Sequence, residues 1–240
     1  YTYFTWRNTK EEIESYITEL CSPERSKIFW PNFWPNTPDI LPEVLQYGGR
    51  PAFVQRLILA ATLSSNYGMY GPAYEQCVHE AYPGKEEYNY SEKYEMKAWD
   101  LSAPGNLRPL IQRLNHIRRD HAALQQTFKV RFVETDNPQL IAYIKNDSSG
   151  LDIILTVVNL DPYNEQSGWI SIPLDEYGID PSHPFLVQDL LPEPDGDMPR
   201  ANYLWNGPRN FIKLNPHGCP AHIFRIFRKQ RKEEDFDYWM

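Results

Sequence analysis

The spacing of apolar and polar residues along the chain changes near residue 128. Before that point, segments with helical spacing alternate with short aromatic or apolar runs. Residues 1–6 and 28–33 have the composition of strands, and residues 67–71 form a third short strand or a turn. An alternation of strands and helices is typical of an α/β fold with parallel strands.

Three helices are predicted between these runs. Thr9, followed three residues later by Glu12, forms a capping box that opens the first helix. The second helix has Pro51 at its first helical position and extends to about residue 63. The third spans residues 107–124 and carries its apolar residues on one side. Parallel strands are normally covered on both faces and paired at both edges. Three strand-helix units do not meet these needs alone, so we expect the first half of the chain to be part of a larger domain.

Beyond residue 128, short β-rich segments are separated by Pro, Gly, Asn and Asp turns. We expect an antiparallel sandwich or barrel of roughly 100 residues here. The segments after residue 228 mix basic and acidic side chains, which is typical of an exposed end. The predicted strands are residues 130–134, 140–145, 153–159, 168–172, 185–190, 211–214 and 221–227.

Composition narrows the class of protein. The chain has 240 residues, 41% of them hydrophobic, which suffices for a globular core, and its net charge of −8 comes without a basic face. Nucleic acid is therefore not an expected partner, and no apolar run is long enough to predict a membrane span. Cys21, Cys77 and Cys219 lack the spacing of a disulfide framework or a zinc site. We expect a reducing, cytoplasmic setting, no metal and no cofactor.

Residues 29–41 contain the candidate chemistry. The run Phe-Trp-Pro-Asn-Phe-Trp-Pro-Asn-Thr-Pro leads directly to Asp39, so one carboxylate lies among aromatic side chains and amides. Aromatic faces stack on the C–H surface of a sugar, and a carboxylate can balance the charge of an oxocarbenium-like transition state. The composition indicates a sugar site, although glycosyl transfer needs more than one carboxyl group.

Seven segments, taken in order, carry a resemblance to a known family. The segments are residues 1–10 (YTYFTWRNTK), 36–41 (NTPDIL), 48–53 (GGRPAF), 59–64 (LAATLS), 91–94 (SEKY), 114–119 (LNHIRR) and 157–162 (VVNLDP). Because their order is kept along the chain, the segments together are far more specific than any one of them. With them the chain resembles the α-amylase superfamily and, more closely, the α-1,4-glucan:maltose-1-phosphate maltosyltransferases.

The resemblance implies a fold that combines α/β and all-β parts. Residues 1–127 would be the last three β/α units of a (β/α)8 TIM barrel, whose active sites lie at the C-terminal strand ends. Residues 128–228 would be the antiparallel β-sandwich that follows the barrel, and residues 229–240 a charged tail.

The resemblance also implies roles for individual residues. Asp39 takes the place of the family's third acidic residue, a catalytic group that stabilises the transition state. Lys93 and Tyr94 match substrate-binding residues that approach the maltosyl unit. Tyr70, Tyr74 and Glu75 correspond more loosely to positions after the eighth strand of the barrel.

The family's nucleophile and general acid belong to earlier strands, and no segment of this chain matches their motifs. The resemblance therefore implies the C-terminal fragment of a retaining glycosyltransferase, inactive alone. The full enzyme would transfer maltosyl units from maltose 1-phosphate to the non-reducing end of α-1,4-glucans, and family members assemble as homodimers. Hydrolytic amylases carry Asn-His-Asp where this chain has Asn36-Thr37-Pro38-Asp39, which weakens an amylase assignment.

Simpler interpretations remain open for the same residues. Thr37 and Pro38 can equally open a helix whose dipole favours Asp39. The aromatic residues before Asp39 more often build a core than a sugar platform. Lys93 and Tyr94 also fit a solvated loop, and Glu75 a surface position. His116 and His121 fit the polar face of a helix better than a metal site.

Two other functions are compatible with the chain. One is a non-catalytic glucan-binding or scaffold module, in which the β-rich half would bind maltooligosaccharides. The other is an amylase-type α-glucan hydrolase, in which water would outcompete the glucan acceptor. Product analysis on maltose 1-phosphate separates the hydrolase from the transferase.

Overall fold

A computed structural model describes residues 2–191 and 201–228. The predicted charged tail, residues 229–240, lies outside the described residues. The helices are α1 (Lys10–Leu20), α2 (Glu43–Tyr47), α3 (Gly49–Leu63), α4 (Gly71–Glu75) and α5 (Arg108–Asp120), with 3-10 turns at Tyr3–Trp6, Ala122–Gln125 and Leu174–Tyr177. The strands are β1 (Arg131–Thr135), β2 (Leu140–Asn146), β3 (Ile153–Asn159), β4 (Gln166–Ser171), β5 (Phe185–Asp189), β6 (Asn202–Trp205), β7 (Arg209–Leu214) and β8 (Ala221–Phe227).

Helix α1 begins at the predicted capping box. Thr9 Oγ1 accepts a hydrogen bond from the backbone N–H of Glu12 at 3.2 Å. In return, Glu12 Oε2 accepts one from the backbone N–H of Thr9 at 3.0 Å. Ile13 and Ile17 point into the core. The local sequence signal is confirmed, because both donors at the helix start are satisfied by side chains one turn apart.

Helix α3 is buried on nearly every side. It begins two residues before Pro51, which is therefore the third helical residue and not the first. The hydroxyls of Thr62 and Tyr143 lie 2.5 Å apart and connect the helix to β2. Gln55 Nε2 donates to the carbonyl of Asp161 at 3.1 Å, just after β3. A helix that is apolar all round belongs inside a core, and α3 lies between the first-half segments and the sheet.

In place of the strands predicted in the first half, the structure has one parallel bridge between two of the predicted segments. Residues 3–6 form a 3-10 turn, so the prediction of a strand there is wrong. Residues 28–33 are irregular until Phe33, which pairs in parallel with Tyr67. The backbone N–H of Gly68 donates to the carbonyl of Phe33 at 2.9 Å, and the ring of Phe4 stacks on Phe33. Both segments have the composition of strands. A β-ladder, however, also needs a neighbouring strand along its whole length, and composition alone does not supply one.

The second half forms one antiparallel sheet within the described residues. Its strand order is β6-β5-β8-β3-β2-β1-β4-β7. Strand β1 pairs with β2 through residues 131–133 and with β4 through residues 134–135. Strands β3 and β8 have the predicted bounds, and β6 was missed. The residues of β6 are largely exposed and lack the alternation that marks a half-buried strand.

Strands β2 and β3 separate two hydrophobic clusters. Successive side chains of a strand point to opposite faces. Because both faces are covered, β3 is buried throughout and β2 is buried up to its last residue, Asn146. One face joins the core around α3, and the other joins residues of β4, β5, β7 and β8. The first face contributes Ile141, Tyr143, Ile154 and Val158, and the second contributes Ala142, Ile144, Leu155 and Val157.

Candidate functional site

Asp39 lies in a tight turn and not at the start of a helix. The backbone N–H of Thr37 donates to the carbonyl of Ile40 at 3.0 Å, and the N–H of Ile40 donates back at 3.2 Å. The N–H of Asp39 donates to Thr37 Oγ1 at 3.3 Å. Helix α2 begins only at Glu43. The interpretation of Thr37 as a helix cap is wrong, because the turn uses the groups that a cap would need.

Lys93 reaches Asp39 from a separate loop. Its Nζ lies 2.9 Å from Asp39 Oδ1, although the side chains of Asp39 and Lys93 are 66% and 49% exposed. A second carboxylate, Glu87 Oε1, lies 3.9 Å from the same ammonium group. Hydrogen bonds with Asp39 and then Tyr94 raise the pKa of Lys93, so the group stays positively charged. An exposed ion pair contributes little to folding, and both groups remain open to a ligand.

Tyr94 stands beside this ion pair. Its hydroxyl donates to Glu87 Oε1 at 3.3 Å, and Lys93 Nζ lies 5.4 Å from its ring centroid. The structure thus brings together Asp39, Lys93 and Tyr94, the three residues to which the resemblance gives roles at one site. Glu87 was missed, since it occurs in an ordinary charged loop whose local sequence carries no signal.

Glu92 holds the loop that carries Lys93. Its carboxylate accepts a hydrogen bond from Trp99 Nε1 at 2.7 Å and another from the Tyr70 hydroxyl at 2.8 Å. These two hydrogen bonds lower the pKa of Glu92, so it is ionised at neutral pH. Tyr70 therefore reaches the site through Glu92. The sequence pointed to this segment through Lys93 and Tyr94 but assigned no role to Glu92.

Asn36 fixes the segment that leads to Asp39. Its side chain is fully buried, and its Nδ2 donates to the Tyr88 hydroxyl at 2.6 Å. Its Oδ1 accepts from the backbone N–H of Tyr70 at 2.9 Å. Burial raises the pKa of Tyr88, so its hydroxyl remains protonated. One buried amide thus joins the Asp39 turn to two other segments of the site.

Tyr74 and Glu75 do not reach the site. Tyr74 is fully buried and donates its hydroxyl to the carbonyl of Phe53 at 2.6 Å, which makes it a core residue. Glu75 Oε2 lies 3.7 Å from Arg108 Nε, in an ion pair at the start of α5. Tyr74 therefore serves packing and Glu75 a local ion pair.

Asp39 opens onto a cleft of about 580 Å³. Trp34, two residues before the buried Asn36, lines the same cleft, as does Asn32. The cleft therefore combines a carboxylate, an aromatic side chain and an amide, which is the set of groups that recognises a sugar ring.

The histidines of α5 do not form a metal centre. His121 lies at the helix end, is buried, and its Nδ1 lies 2.8 Å from Asp152 Oδ1. Within residues 2–191 and 201–228, His, Cys, Asp and Glu do not assemble into a group of three or more that could ligate a metal. In the same ranges, no helix combines the length and the apolar content that crossing a membrane requires.

The fold is shared with α-amylase proteins. A maltogenic α-amylase from Thermotoga neapolitana aligns with a TM-score of 0.60 and 15% identity, over 93% of this chain and 47% of that chain. An α-amylase from Malbranchea cinnamomea aligns with a TM-score of 0.60 and 16% identity, over 93% and 44% of the two chains. At such identities the likeness establishes the fold alone.

Sequence similarity specifies the family. Residues 132–226 match the family described as "GLGE, C-terminal". The α-1,4-glucan:maltose-1-phosphate maltosyltransferase of Chlorobaculum tepidum is 52% identical over 94% of this chain and 34% of its own length. That of Methylacidiphilum infernorum is 51% identical over 94% of this chain and 33% of its own length. The chain spans about a third of these relatives and is a homologue of the C-terminal part of the maltosyltransferases.

Proposed function

We propose that this chain is the C-terminal part of a retaining glycosyltransferase that transfers maltosyl units from maltose 1-phosphate to the non-reducing end of α-1,4-glucans. The observation that carries the proposal is the meeting of Asp39 and Lys93 at 2.9 Å, across 54 residues of sequence. Asp39 itself lines the cleft that also contains Trp34. The names of the relatives supply the donor and the acceptor.

Asp39 stabilises the oxocarbenium-like transition state in this proposal, since its carboxylate is exposed to the cleft. Lys93 and Tyr94 bind the sugar, because an ammonium group and a phenol supply donors for its hydroxyls. The neighbouring carboxylates, Glu87 and Glu92, already accept hydrogen bonds from Tyr94 and from Tyr70 and Trp99. We therefore assign the nucleophile and the general acid to the part of the enzyme outside this chain, and expect the chain alone to be inactive.

The proposal includes the finer architecture. Residues 1–127 are the last three β/α units of a (β/α)8 barrel, supported by the parallel bridge between Phe33 and Tyr67 and by the likeness to α-amylases. Residues 128–228 form the β-sandwich that follows. The support for a sandwich is a hydrophobic cluster that contains residues of β4 and β7 together with residues of β2, β3, β5 and β8. Because β7 and β5 lie near opposite edges of the strand order, the sheet must fold over itself to bring them into one cluster. The full enzyme would be a homodimer, as the family resemblance implies, in the reducing, cytoplasmic setting that the spacing of the cysteines favours.

A chimera tests the proposal. Residues 1–240 replace the matching third of the C. tepidum relative, and the product is assayed with maltose 1-phosphate and a maltooligosaccharide acceptor. We expect products longer by maltosyl units. Asp39→Asn should lower kcat at least about 100-fold, the usual loss when a group that stabilises transition-state charge is removed, with an unchanged thermal unfolding midpoint.

Asp175→Asn is the matched control, since Asp175 is an exposed acid of the β-rich half. It should keep the parent rate. Near-normal turnover of Asp39→Asn would contradict the role of Asp39. Release of free maltose without extension of the acceptor would favour the hydrolase instead.

A further inference from the structure

Three of the four aromatic residues in the run before Asp39, namely Trp30, Phe33 and Trp34, have different surroundings. Phe33 is 1% exposed and stacks on Phe4, with ring centroids 4.6 Å apart. Trp30 is 69% exposed and meets Phe128 edge-on at 5.5 Å. Trp34 alone of the three lines the cleft with Asp39. Their roles are thus a core residue, a surface residue and a residue of the candidate site.

Trp34 is held in place by the backbone around it. A Cβ atom on Gly68 would lie 2.6 Å from Cε2 and Cζ2 of the indole, closer than real contacts allow. Gly68 itself is fixed, because its N–H donates to the carbonyl of Phe33 at 2.9 Å. The carbonyl of Trp34 accepts from the Thr5 hydroxyl at 2.7 Å. The indole therefore occupies space that is open only because residue 68 is glycine.

A carboxylate lies in the same cleft as the indole. Asp39 lines it together with Trp34 and Asn32. The Oδ1 atom of Asn32 is buried and has no hydrogen-bond partner among the described residues, so it is closed to a ligand in the cleft. The carboxylate of Asp39 would thus meet the polar rim of a sugar ring, and Trp34 its apolar face.

We propose that Trp34 is a sugar-stacking residue that determines substrate specificity, and that its indole carries the C–H face of a pyranose ring of the glucan substrate. The inference rests on the proposed function, because Asp39 and the sugar must share the cleft. Gly68 is the positioning residue for the indole. Stacking of this kind depends on the presence of the aromatic ring and also on its position. The proposal can therefore be tested by two kinds of variant, one that removes the ring and one that displaces it.

The test uses the chimera described above. Trp34→Ala should lower kcat/KM about 10-fold or more, and Trp34→Phe should retain most of it, because an aromatic face remains. Gly68→Ala keeps the indole but displaces it, so it should lower kcat/KM to a similar extent. The double variant should lose little beyond either single one. Trp30→Ala, the matched control, should keep the parent value.

Fluorescence gives a readout that does not depend on turnover. In an Asp39→Asn background, maltose should quench tryptophan emission, and the quenching should disappear in Trp34→Phe but persist in Trp30→Phe. Full activity of Trp34→Ala while Asp39→Asn is inactive would overturn the role of Trp34 and leave the proposed function intact. Unchanged quenching in Trp34→Phe would do the same. Full activity of Asp39→Asn would instead overturn the proposed function. Thermal unfolding of each variant identifies a loss that is due to misfolding.

Discussion

The ammonium group of Lys93 lies 2.9 Å from the carboxylate of Asp39, and both side chains face solvent. A positive charge at this distance opposes the task proposed for Asp39, which is to stabilise a positively charged transition state. Under the proposed function, Lys93 would therefore turn toward the sugar hydroxyls, or toward the phosphate of the donor, before Asp39 acts. The ion pair is an arrangement that substrate binding is expected to reorganise.

Replacement of Lys93 tests this relationship. We expect Lys93→Met to raise the KM for maltose 1-phosphate about 10-fold or more in the chimera, because a charge-assisted hydrogen bond to the substrate is lost. The thermal unfolding midpoint should not change, since an exposed ion pair contributes little to stability. Lys85→Met, at an exposed position of the same loop region, is the control and should keep the parent KM. An unchanged KM for Lys93→Met would show that Lys93 does not bind the donor.

Glu92 is expected to act through the loop that it holds. Glu92→Ala removes the acceptor for both Tyr70 and Trp99, so kcat/KM of the chimera should fall by about 10-fold. Glu92→Gln keeps one acceptor oxygen, so its kcat/KM should lie between that of the parent and that of Glu92→Ala. Steady-state kinetics and thermal unfolding measure both effects. Glu95→Gln, which changes an exposed side chain three residues away, is the control and should leave kcat/KM unchanged. A decrease in kcat/KM for Glu95→Gln as large as that for Glu92→Ala would refute the role proposed for Glu92.

The ion pair of Asp189 and His222 predicts a pH-dependent stability. Asp189 is 1% exposed, and its Oδ2 lies 2.6 Å from His222 Nδ1. Burial opposes the charged ring, but hydrogen bonds with Asp189 and Cys219 outweigh it and raise the pKa of His222 to about 9. A raised histidine pKa stabilises the fold fully below the unfolded value of about 6.5, and this stabilisation is lost as the pH rises through about 9.

We therefore expect the unfolding midpoint of the chimera to fall relative to that of His222→Gln between about pH 6.5 and pH 9. Thermal unfolding at several pH values measures the difference. His183→Gln removes an exposed histidine paired with Asp180 and should leave the pH dependence of the parent unchanged. A constant difference between the parent and His222→Gln across this range would argue against a charged His222.

Lys145 predicts the opposite slope. It is 1% exposed, and its Nζ donates to the carbonyl of Leu63 at 3.2 Å. Burial, and then the charge of Arg118, lower the pKa of Lys145 from 10.5 to about 7. The folded protein thus disfavours the charged amine. This destabilisation is complete below about pH 7 and is relieved as the pH rises toward the unfolded pKa.

Lys145→Met should consequently raise the free energy of unfolding by about 1 kcal/mol or more near pH 6, and by less near pH 10. Chemical unfolding of the chimera and its variant at the two pH values measures both gains. Lys129→Met, at an exposed position, is the control. A gain that stays the same at both pH values would indicate that Lys145 is not desolvated in the folded state.

The sequence predicted best those elements that local chemistry decides. The capping box of Thr9 and Glu12 opened α1 as expected, and the apolar runs of β3 and β8 had the predicted bounds. Residues 3–6 look like a strand but form a 3-10 turn, since a strand exists only where neighbours complete its ladder. Local composition does not contain that information.

The same distinction applies to the candidate site. The resemblance placed Asp39, Lys93 and Tyr94 at one site, and the structure brings them together. It also suggested Tyr74 and Glu75, which α4 directs elsewhere. Glu92 could have been found, since it lies within the matched Ser-Glu-Lys-Tyr segment. Glu87 depends on the fold of a loop, and its local sequence does not mark it.

Tyr143 of β2 and Thr62 of α3 belong to opposite sides of the sequence boundary near residue 128, yet their hydroxyls meet inside a core that both halves build. Genetic recombination at that boundary would separate partners that must match in shape and polarity. The helical half and the β-rich half are therefore expected to be inherited together, so that related proteins exchange the pair as a unit.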